Sequence, residues 1–256
     1  MSNFLTLICA DIHGKFLSMY KYALEKGVTS ILNCGDLECL RTLNDLEYFP
    51  SPSKYVREYR ESIRPLEFAE YLNGVPIPTY AIAGNHEPWD WLENYRKQGL
   101  HELVPNLHYF GTYGLAQVET GVGKLNVAGF SKIFHEEHSL VENYVPWDRK
   151  AKRLCSPKLA SYFNEEDIYN LIDLCKGRDI DILLLHENPA KYRGNKLEYG
   201  CDLITELVRA ISPKIAFCGH MHFKDERVID NTVVVNLPLN QYFILEEEWW
   251  GSLWMK

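Results

Sequence analysis

Apolar and polar positions divide this chain into short buried-type runs separated by helical stripes. Phe4 to Ala10 reads as a first strand. Lys15 to Lys26 then carries Phe16, Met19, Tyr20, Ala23 and Leu24 at helical spacing, and Gly27 stands where a C′ glycine ends a helix. Ser30 to Cys34 and Pro78 to Ala83 are predicted strands, with a helix around Leu66 to Leu72 between them. Strand–helix–strand at this spacing predicts βαβ units and a largely parallel sheet. Farther along, Asn106 to Gly111, Gly114 to Glu119 and Lys124 to Phe130 alternate as successive strands. A polar helical region runs from about Val141 to Lys176. Asp179 to Leu185 and Pro213 to Cys218 are buried-type strands on either side of a helix over Asp202 to Ala210. Lys224 to Ile229, Thr232 to Asn236 and Tyr242 to Glu247 close the pattern as antiparallel-looking strands. The expected architecture is α/β: two sheets packed together with helices outside, in a single domain over 1–256. One segment, about 37–64, breaks the rhythm as a long insertion. It holds Pro50, Pro52 and a charged, Tyr-rich stretch, and structureless loops of that length tend to be functional.

Composition narrows the function classes. A length of 256 residues, 46% hydrophobic and 24% charged, is enough for a full-sized core. No apolar run approaches the roughly 18 residues of a membrane span, and Met1 to Ala10 lacks the positive start of a signal peptide, so no membrane association is expected. Seven scattered cysteines without a CxxC pair read as reduced core residues of a cytoplasmic protein. The formal net charge of −8 argues against a non-specific binder of duplex DNA.

Five polar clusters share one position: each follows directly on an apolar run. They are Asp11-Ile12-His13, Gly35-Asp36, Gly84-Asn85-His86-Glu87, His186 and Gly219-His220-Met221-His222. Ligands of open α/β sheets bind beyond the carboxyl ends of the strands, so five clusters arriving there point to one site. Asp11 and His13, like His220 and His222, are two apart, which in extended backbone sends both side chains to one face. Carboxylate, imidazole and amide donors without thiolate suit Mn²⁺, Fe²⁺ or Zn²⁺. Taken singly, each cluster has an ordinary reading as a capping Asp, a turn or a hydrogen-bonded His. Together, so many buried polar groups are costly without something to coordinate.

In order and approximate spacing these clusters resemble the calcineurin-like metallophosphoesterases, from Asp11 to His222. The resemblance implies a four-layer αββα sandwich and a centre of two divalent metal ions. It assigns Asp11, His13 and His222 to one ion and Asn85, His186 and His220 to the other, with Asp36 bridging. A carboxylate has two anionic oxygens and can span a pair of ions about 3.5–4 Å apart. The implied reaction is in-line attack of a metal-bridging hydroxide on a phosphate ester. His86 would stabilise developing charge or protonate the leaving alkoxide, and Glu87 would orient it.

Within that superfamily, Gly35-Asp36-Leu37-Glu38 followed by Arg41, Asn44-Asp45-Leu46, Pro52 and Lys54-Tyr55 is similar to the insertion of the RNA lariat debranching enzymes. Asn106 to Gly111 and Gly129 to Phe134 are similar to their middle strands. That family hydrolyses 2′,5′-phosphodiesters at RNA branch points. Many of its members carry Cys where this chain has Asp11. On a helix, Lys54, Arg57, Arg60 and Arg64 would line one side, with Tyr55 and Tyr59 as stacking surfaces for bases. Lys54, Tyr55, Arg57 and Arg60 are therefore the expected substrate-binding residues. A solvated helix neutralised by Glu58 and Glu61 is the plainer alternative. The function expected is a metal-dependent phosphodiesterase acting on RNA or another nucleotide-containing diester. The rivals are a phosphomonoesterase or protein phosphatase and a non-catalytic scaffold of the same fold. The tail, with Trp249, Trp250 and Trp254, is expected to close one end of the core.

Overall fold

The computed structural model describes residues 5–49, 53–92, 95, 99–139, 147–148, 153–154, 157–246 and 250–251. The chain runs through β1 (Leu5–Cys9), α1 (Phe16–Lys26) and β2 (Val28–Asn33), then a 3₁₀ helix at Leu43–Tyr48, α2 (Ser53–Arg60) and a second 3₁₀ helix at Glu67–Tyr71. β3 (Thr79–Ala81), α3 (Trp89–Leu92), β4 (His101–Val104), β5 (Leu107–Tyr109), β6 (Tyr113–Thr120) and β7 (Gly123–Phe130) follow. Next come α4 (Glu136–Ser139), a ribbon of β8 (Trp147–Asp148) and β9 (Arg153–Leu154), α5 (Pro157–Ala160) and α6 (Glu165–Cys175). The last third holds β10 (Ile182–Leu185), the ribbon of β11 (Lys191–Arg193) and β12 (Lys196–Tyr199), α7 (Asp202–Ile211), β13 (Ile215–Cys218), β14 (Asp225–Ile229), β15 (Thr232–Asn236) and β16 (Tyr242–Leu245).

Among the described residues two six-stranded sheets form, ordered β16-β1-β2-β3-β5-β4 and β14-β15-β13-β10-β7-β6. Parallel pairing runs through both centres, and antiparallel strands sit at the edges. Period-two alternation sets the layers. In β1, Ile8 faces the second sheet and packs with Leu184 and Phe217, whereas Leu7 and Cys9 face Phe16, Met19 and Ala23 of α1. In β10, Leu183 and Leu185 turn to Ile168 and Leu171 of α6 and Leu207 of α7. The result is the expected four-layer αββα sandwich. No helix among the described residues is long and apolar enough to cross a membrane. Six cysteines (Cys9, Cys34, Cys39, Cys175, Cys201 and Cys218) are buried and not disulfide-bonded, and burial pushes the Cys9 and Cys201 thiols up to about 12.

Local signals account for the helix ends. Gly27 takes a left-handed φ of 71° and returns its N–H to Ala23 and Leu24, as its position after the helical stripe predicts. Asn164 caps α6 in a reciprocal capping box with Asp167.

Several expectations are corrected. The helix expected over Leu66 to Leu72 is only the 3₁₀ turn at Glu67–Tyr71, because its N-terminus has no side-chain cap and Pro65 precedes it. The insertion at 37–64 is not structureless: it holds a capped 3₁₀ helix at Leu43–Tyr48 and then α2. β4 and the β11–β12 ribbon were not foreseen, being short and largely solvated on one face. Of the polar helical region, 140–146, 149–152 and 155–156 lie outside the described residues; within the remainder, α6 is its one long helix. Trp250 packs against the core between the sheets and lies 5.8 Å from the Lys214 ammonium, whereas Trp249 and Trp254 lie outside the described residues.

Candidate metal centre

β1, β2 and β3 of one sheet and β10 and β13 of the other end at the same place, and the five polar clusters are their C-terminal loops. Because β1 and β2 are parallel neighbours, their loops are zipped by backbone bonds: Asp11 N–H to Gly35 C=O at 3.0 Å, His13 N–H to Asp36 C=O at 3.0 Å and Gly14 N–H to Leu37 C=O at 2.9 Å. Between the sheets, the Asp11 carboxylate accepts the His220 N–H at 3.1 Å, and within the first sheet Asp36 Oδ1 accepts the His86 N–H of the β3 loop at 2.7 Å.

The ligand atoms of Asp11, His13, Asp36 and His222 lie within 4.8 Å of one another. His222 Nε2 is 3.2 Å from Asp11 Oδ1 and 3.3 Å from His13 Nε2. A second group forms on the other side of Asp36. His186 Nε2 is 3.3 Å from Asp36 Oδ1 and 3.1 Å from Asn85 Oδ1, and the His220 ring centroid is 5.2 Å from that of His186. The two oxygens of Asp36 are thus divided, Oδ1 toward His186 and Oδ2 toward His13 at 3.9 Å.

Two imidazole tautomers follow from their partners. His186 Nδ1 is 2.8 Å from the Cys34 carbonyl, which can only accept, so the proton sits on Nδ1 and Nε2 presents a lone pair in the neutral ring. His13 Nδ1 is 2.7 Å from Glu38 Oε1, so it too is the protonated nitrogen and Nε2 faces the cluster. Two ring nitrogens 3.3 Å apart and ringed by carboxylates fit a divalent cation better than they fit one another. The donor set and its tautomers therefore fit a pair of divalent cations. Without them, burial would raise the Asp36 carboxyl, yet His186, His86 and His13 hold it well below the usual range. Burial works against the His186 imidazolium, but Asp36 beside it carries its pKa up to about 10.

The backbone departs from expectation. Asp11, His13, His220 and His222 are not extended; they take left-handed φ values of 52°, 44°, 69° and 60°, as do Asp36 and Glu38 at 53° and 55°. Their side chains converge through turns, not by strand alternation. Glycine is required at Gly84, where a Cβ would stand 2.1 Å from Asp36 Oδ1, and at Gly35, where it would stand 2.6 Å from His186 Nδ1.

His86 is half-buried beside the cluster, 5.0 Å from the His13 ring and edge-on to Phe49 at 5.6 Å. Burial depresses its pKa and favours the neutral ring. Glu87 is not its orienting partner. That side chain is buried, accepting the Leu37 and Glu38 N–H groups at 2.9 and 3.0 Å, so it fastens the β2 loop. The carboxylate near His86 Nδ1 is Glu38, at 3.9 Å.

Glu38 was not singled out from the sequence. It is fully buried, and its second oxygen accepts from Tyr59 Oη at 2.7 Å and Arg64 Nη1 at 3.0 Å. Tyr59 and Arg64 consequently point inward, correcting their expected place on a base-stacking, cationic face. Arg57 is exposed and 3.9 Å from Glu61, and Arg60 is exposed. The side chains of Lys54 and Tyr55 lie outside the described residues.

Two mixed sheets with this donor cluster at their shared carboxyl edge define a metallophosphoesterase. Residues 4–224 match the calcineurin-like phosphoesterase family, to which the chain belongs. Similar relatives are lariat debranching enzymes: that of Drosophila melanogaster is 28% identical over 240 residues, 83% of this chain and 41% of its own length. That of Schizosaccharomyces pombe is 27% identical, covering 85% of this chain and 48% of its own length, and that of Homo sapiens 27%, covering 83% and 41%. The chain thus spans about half or less of the length of these relatives. In fold it is similar to the TT1561 protein of Thermus thermophilus, with a TM-score of 0.58 at 15% identity over 96% of both chains.

Proposed function

We propose that this chain is a phosphodiesterase that binds two divalent transition-metal ions (Mn²⁺, Fe²⁺ or Zn²⁺) and hydrolyses a nucleotide-containing diester, with branched RNA as its substrate class. Asp11, His13 and His222 would hold one ion, Asn85, His186 and His220 the other, and Asp36 both. Such ions supply Lewis acidity toward phosphoryl oxygens and lower the pKa of water toward about 7. The observation that carries the reading is the division of the two Asp36 oxygens between His13 and His186.

The chain's own residues set the geometry around that centre. Glu38 and the Cys34 carbonyl fix the tautomers of His13 and His186, keeping both Nε2 atoms available. His86, neutral because buried, offers an N–H beside the cluster, where it can stabilise charge on a leaving oxygen. Its backbone bond to Asp36 keeps it in step with the ligands. The choice of branched RNA rests on the names of the relatives and on the similar insertion. Hydrolysis of bis-p-nitrophenyl phosphate against p-nitrophenyl phosphate in Mn²⁺ tests the ester class. A strong monoester preference would remove the diesterase reading, and a 2′,5′-branched oligonucleotide that stays intact would remove the substrate.

A further inference from the structure

Immediately after the ligand His222, the chain presents Phe223, which is 42% exposed. Its ring meets Tyr199 of β12 edge-on at 5.1 Å. Tyr199 is held by four neighbours, Phe223, Asp225, Arg227 and Lys191. Its hydroxyl bonds to Asp225 and accepts from Arg227 Nη1 at 2.7 Å, while the Arg227 guanidinium and the Lys191 ammonium lie 5.2 and 5.5 Å from its ring centroid. Arg227 is in turn anchored on the Pro189 carbonyl, and Lys191 on Asp225 Oδ1 at 2.9 Å. The Phe223 carbonyl accepts from Asn236, which fixes the loop behind it. An exposed aromatic ring one residue from a metal ligand is therefore mounted on a rigid support. Beside it opens a cavity of about 640 Å³, with Arg193, Lys196 and Leu197 of the ribbon along its wall.

Three features fit a single ligand chemistry. A planar ring with an open face takes a nucleobase, because every base has a π-face. Arg193 and Lys196 are exposed cations at the ribbon's turn, separated from each other by only Gly194 and Asn195. Lys191 is paired with Asp225, and of the remaining charges on the ribbon Arg193 and Lys196 outnumber Glu198, in a chain whose net charge is −8. Local positive charge on an acidic protein, next to the candidate phosphate-binding centre, is the complement of a nucleic-acid backbone. The support network adds preorganisation, which lowers the cost of ordering the site on binding.

We propose that Phe223, braced by Tyr199, stacks the base of a nucleoside flanking the scissile phosphate, and that Arg193 and Lys196 hold the next phosphate of the same strand. The proposal rests on the reading of this chain as a nucleotide phosphodiesterase and adds a binding subsite to it, on the β11–β12 ribbon and not on the insertion.

The test is equilibrium binding by fluorescence anisotropy, with the metal-loaded protein and a branched oligoribonucleotide made non-cleavable by a methylene in place of the bridging oxygen. Phe223→Ala should weaken binding about 10-fold, the effect of losing one base stacked on an aromatic ring. Phe223→Tyr should restore it. Phe223→Leu, apolar but not aromatic, should not. Removing the flanking base from the oligonucleotide should weaken the wild type and abolish the difference between wild type and Phe223→Ala. Arg193→Glu with Lys196→Glu should also weaken binding and make the slope of log K against log salt shallower by about 1–2. Equal binding by wild type and Phe223→Ala, or a loss that persists on the abasic ligand, overturns the subsite, as does a wild type that binds no oligonucleotide. If binding follows expectation while the wild type leaves the cleavable oligonucleotide intact, the subsite stands and the diesterase reading falls.

Discussion

Glu38 gives the sharpest test of how the centre is held. Its carboxylate accepts from His13 Nδ1 at one oxygen and from Tyr59 and Arg64 at the other, fully out of solvent. A glutamine has the same shape but only one acceptor oxygen. His13 Nδ1 is a donor when Nε2 is free to ligate, and a guanidinium has donors alone. With Glu38→Gln, whichever end receives the amide NH₂ therefore meets another donor. The loss is about one charge-assisted hydrogen bond, roughly 1.5–3 kcal/mol. If it falls on His13, it appears as an affinity loss, and at about 1.4 kcal/mol per factor of ten this corresponds to roughly 10- to 100-fold weaker cation binding. Loss of a bond behind a ligating imidazole is typically of that size. Chelator-competition titration of Mn²⁺ and Zn²⁺ would measure it, with the melting temperature of the ion-free protein as a control for folding. A variant that keeps wild-type affinity within twofold while remaining folded would refute the role of Glu38 in fixing His13.

Other outcomes follow from the same geometry. Asp36→Asn should reduce turnover at least about 100-fold and lower the content of both ions, read by metal analysis alongside diester hydrolysis. His86→Ala should slow hydrolysis by about 100-fold with metal content near normal; loss of metal in that variant would make His86 a ligand. Gly84→Ala should abolish metal binding by driving a methyl into Asp36 Oδ1, with the far-ultraviolet circular dichroism spectrum retained. Since His186 is raised to about 10 in the ion-free protein, it holds a proton at neutral pH that a cation must displace. Affinity should therefore climb with pH below about 10, by up to tenfold per unit, and calorimetry in buffers of different ionisation enthalpy should register proton release. The stability that the charged His186 gains beside Asp36 has the opposite sign: it is complete below about pH 6.5 and lost as pH rises through about 10.

The convergence of the polar clusters was legible because each follows an apolar run and the runs are the central strands of the two sheets. Parallel strands buried on both faces leave that alternation of run and cluster plain in the sequence. The manner of convergence was not legible. Two-residue spacing implied extended backbone, whereas Asp11, His13, His220 and His222 take left-handed turns, the first three tied by their N–H groups to the neighbouring loops. Glu38 and Glu87 were missed or misplaced for a related reason. Their roles depend on which way a buried loop turns, and spacing reports only that a carboxylate is near. Tyr59 misled because an aromatic residue among arginines reads the same whether its hydroxyl faces water or, as here, a buried carboxylate. The β11–β12 ribbon carried no signal beyond Gly194-Asn195 at its turn, since its strands bury almost nothing.

Fold and site share the same bonds in this protein, which decides how it can be dissected. Six residues around the centre sit at left-handed φ, a conformation that costs a non-glycine residue of the order of 1–3 kcal/mol unless its surroundings enforce it. Five of the six are Asp or His, types that enter this region more readily than most, so ligand chemistry and turn chemistry select the same side chains. The enforcement comes partly from the candidate ligands themselves. Asp11 accepts the His220 N–H across the two sheets, and Asp36 accepts the His86 N–H from the β3 loop. Alanine at either position removes a candidate ligand and a fastening together, so lost activity could follow from either. Asparagine separates them: its oxygen can still accept the backbone N–H while the charge that attracts a cation is gone. A centre that holds its ions would then show Asp36→Asn folded like the wild type and depleted of metal, with Asp36→Ala destabilised as well.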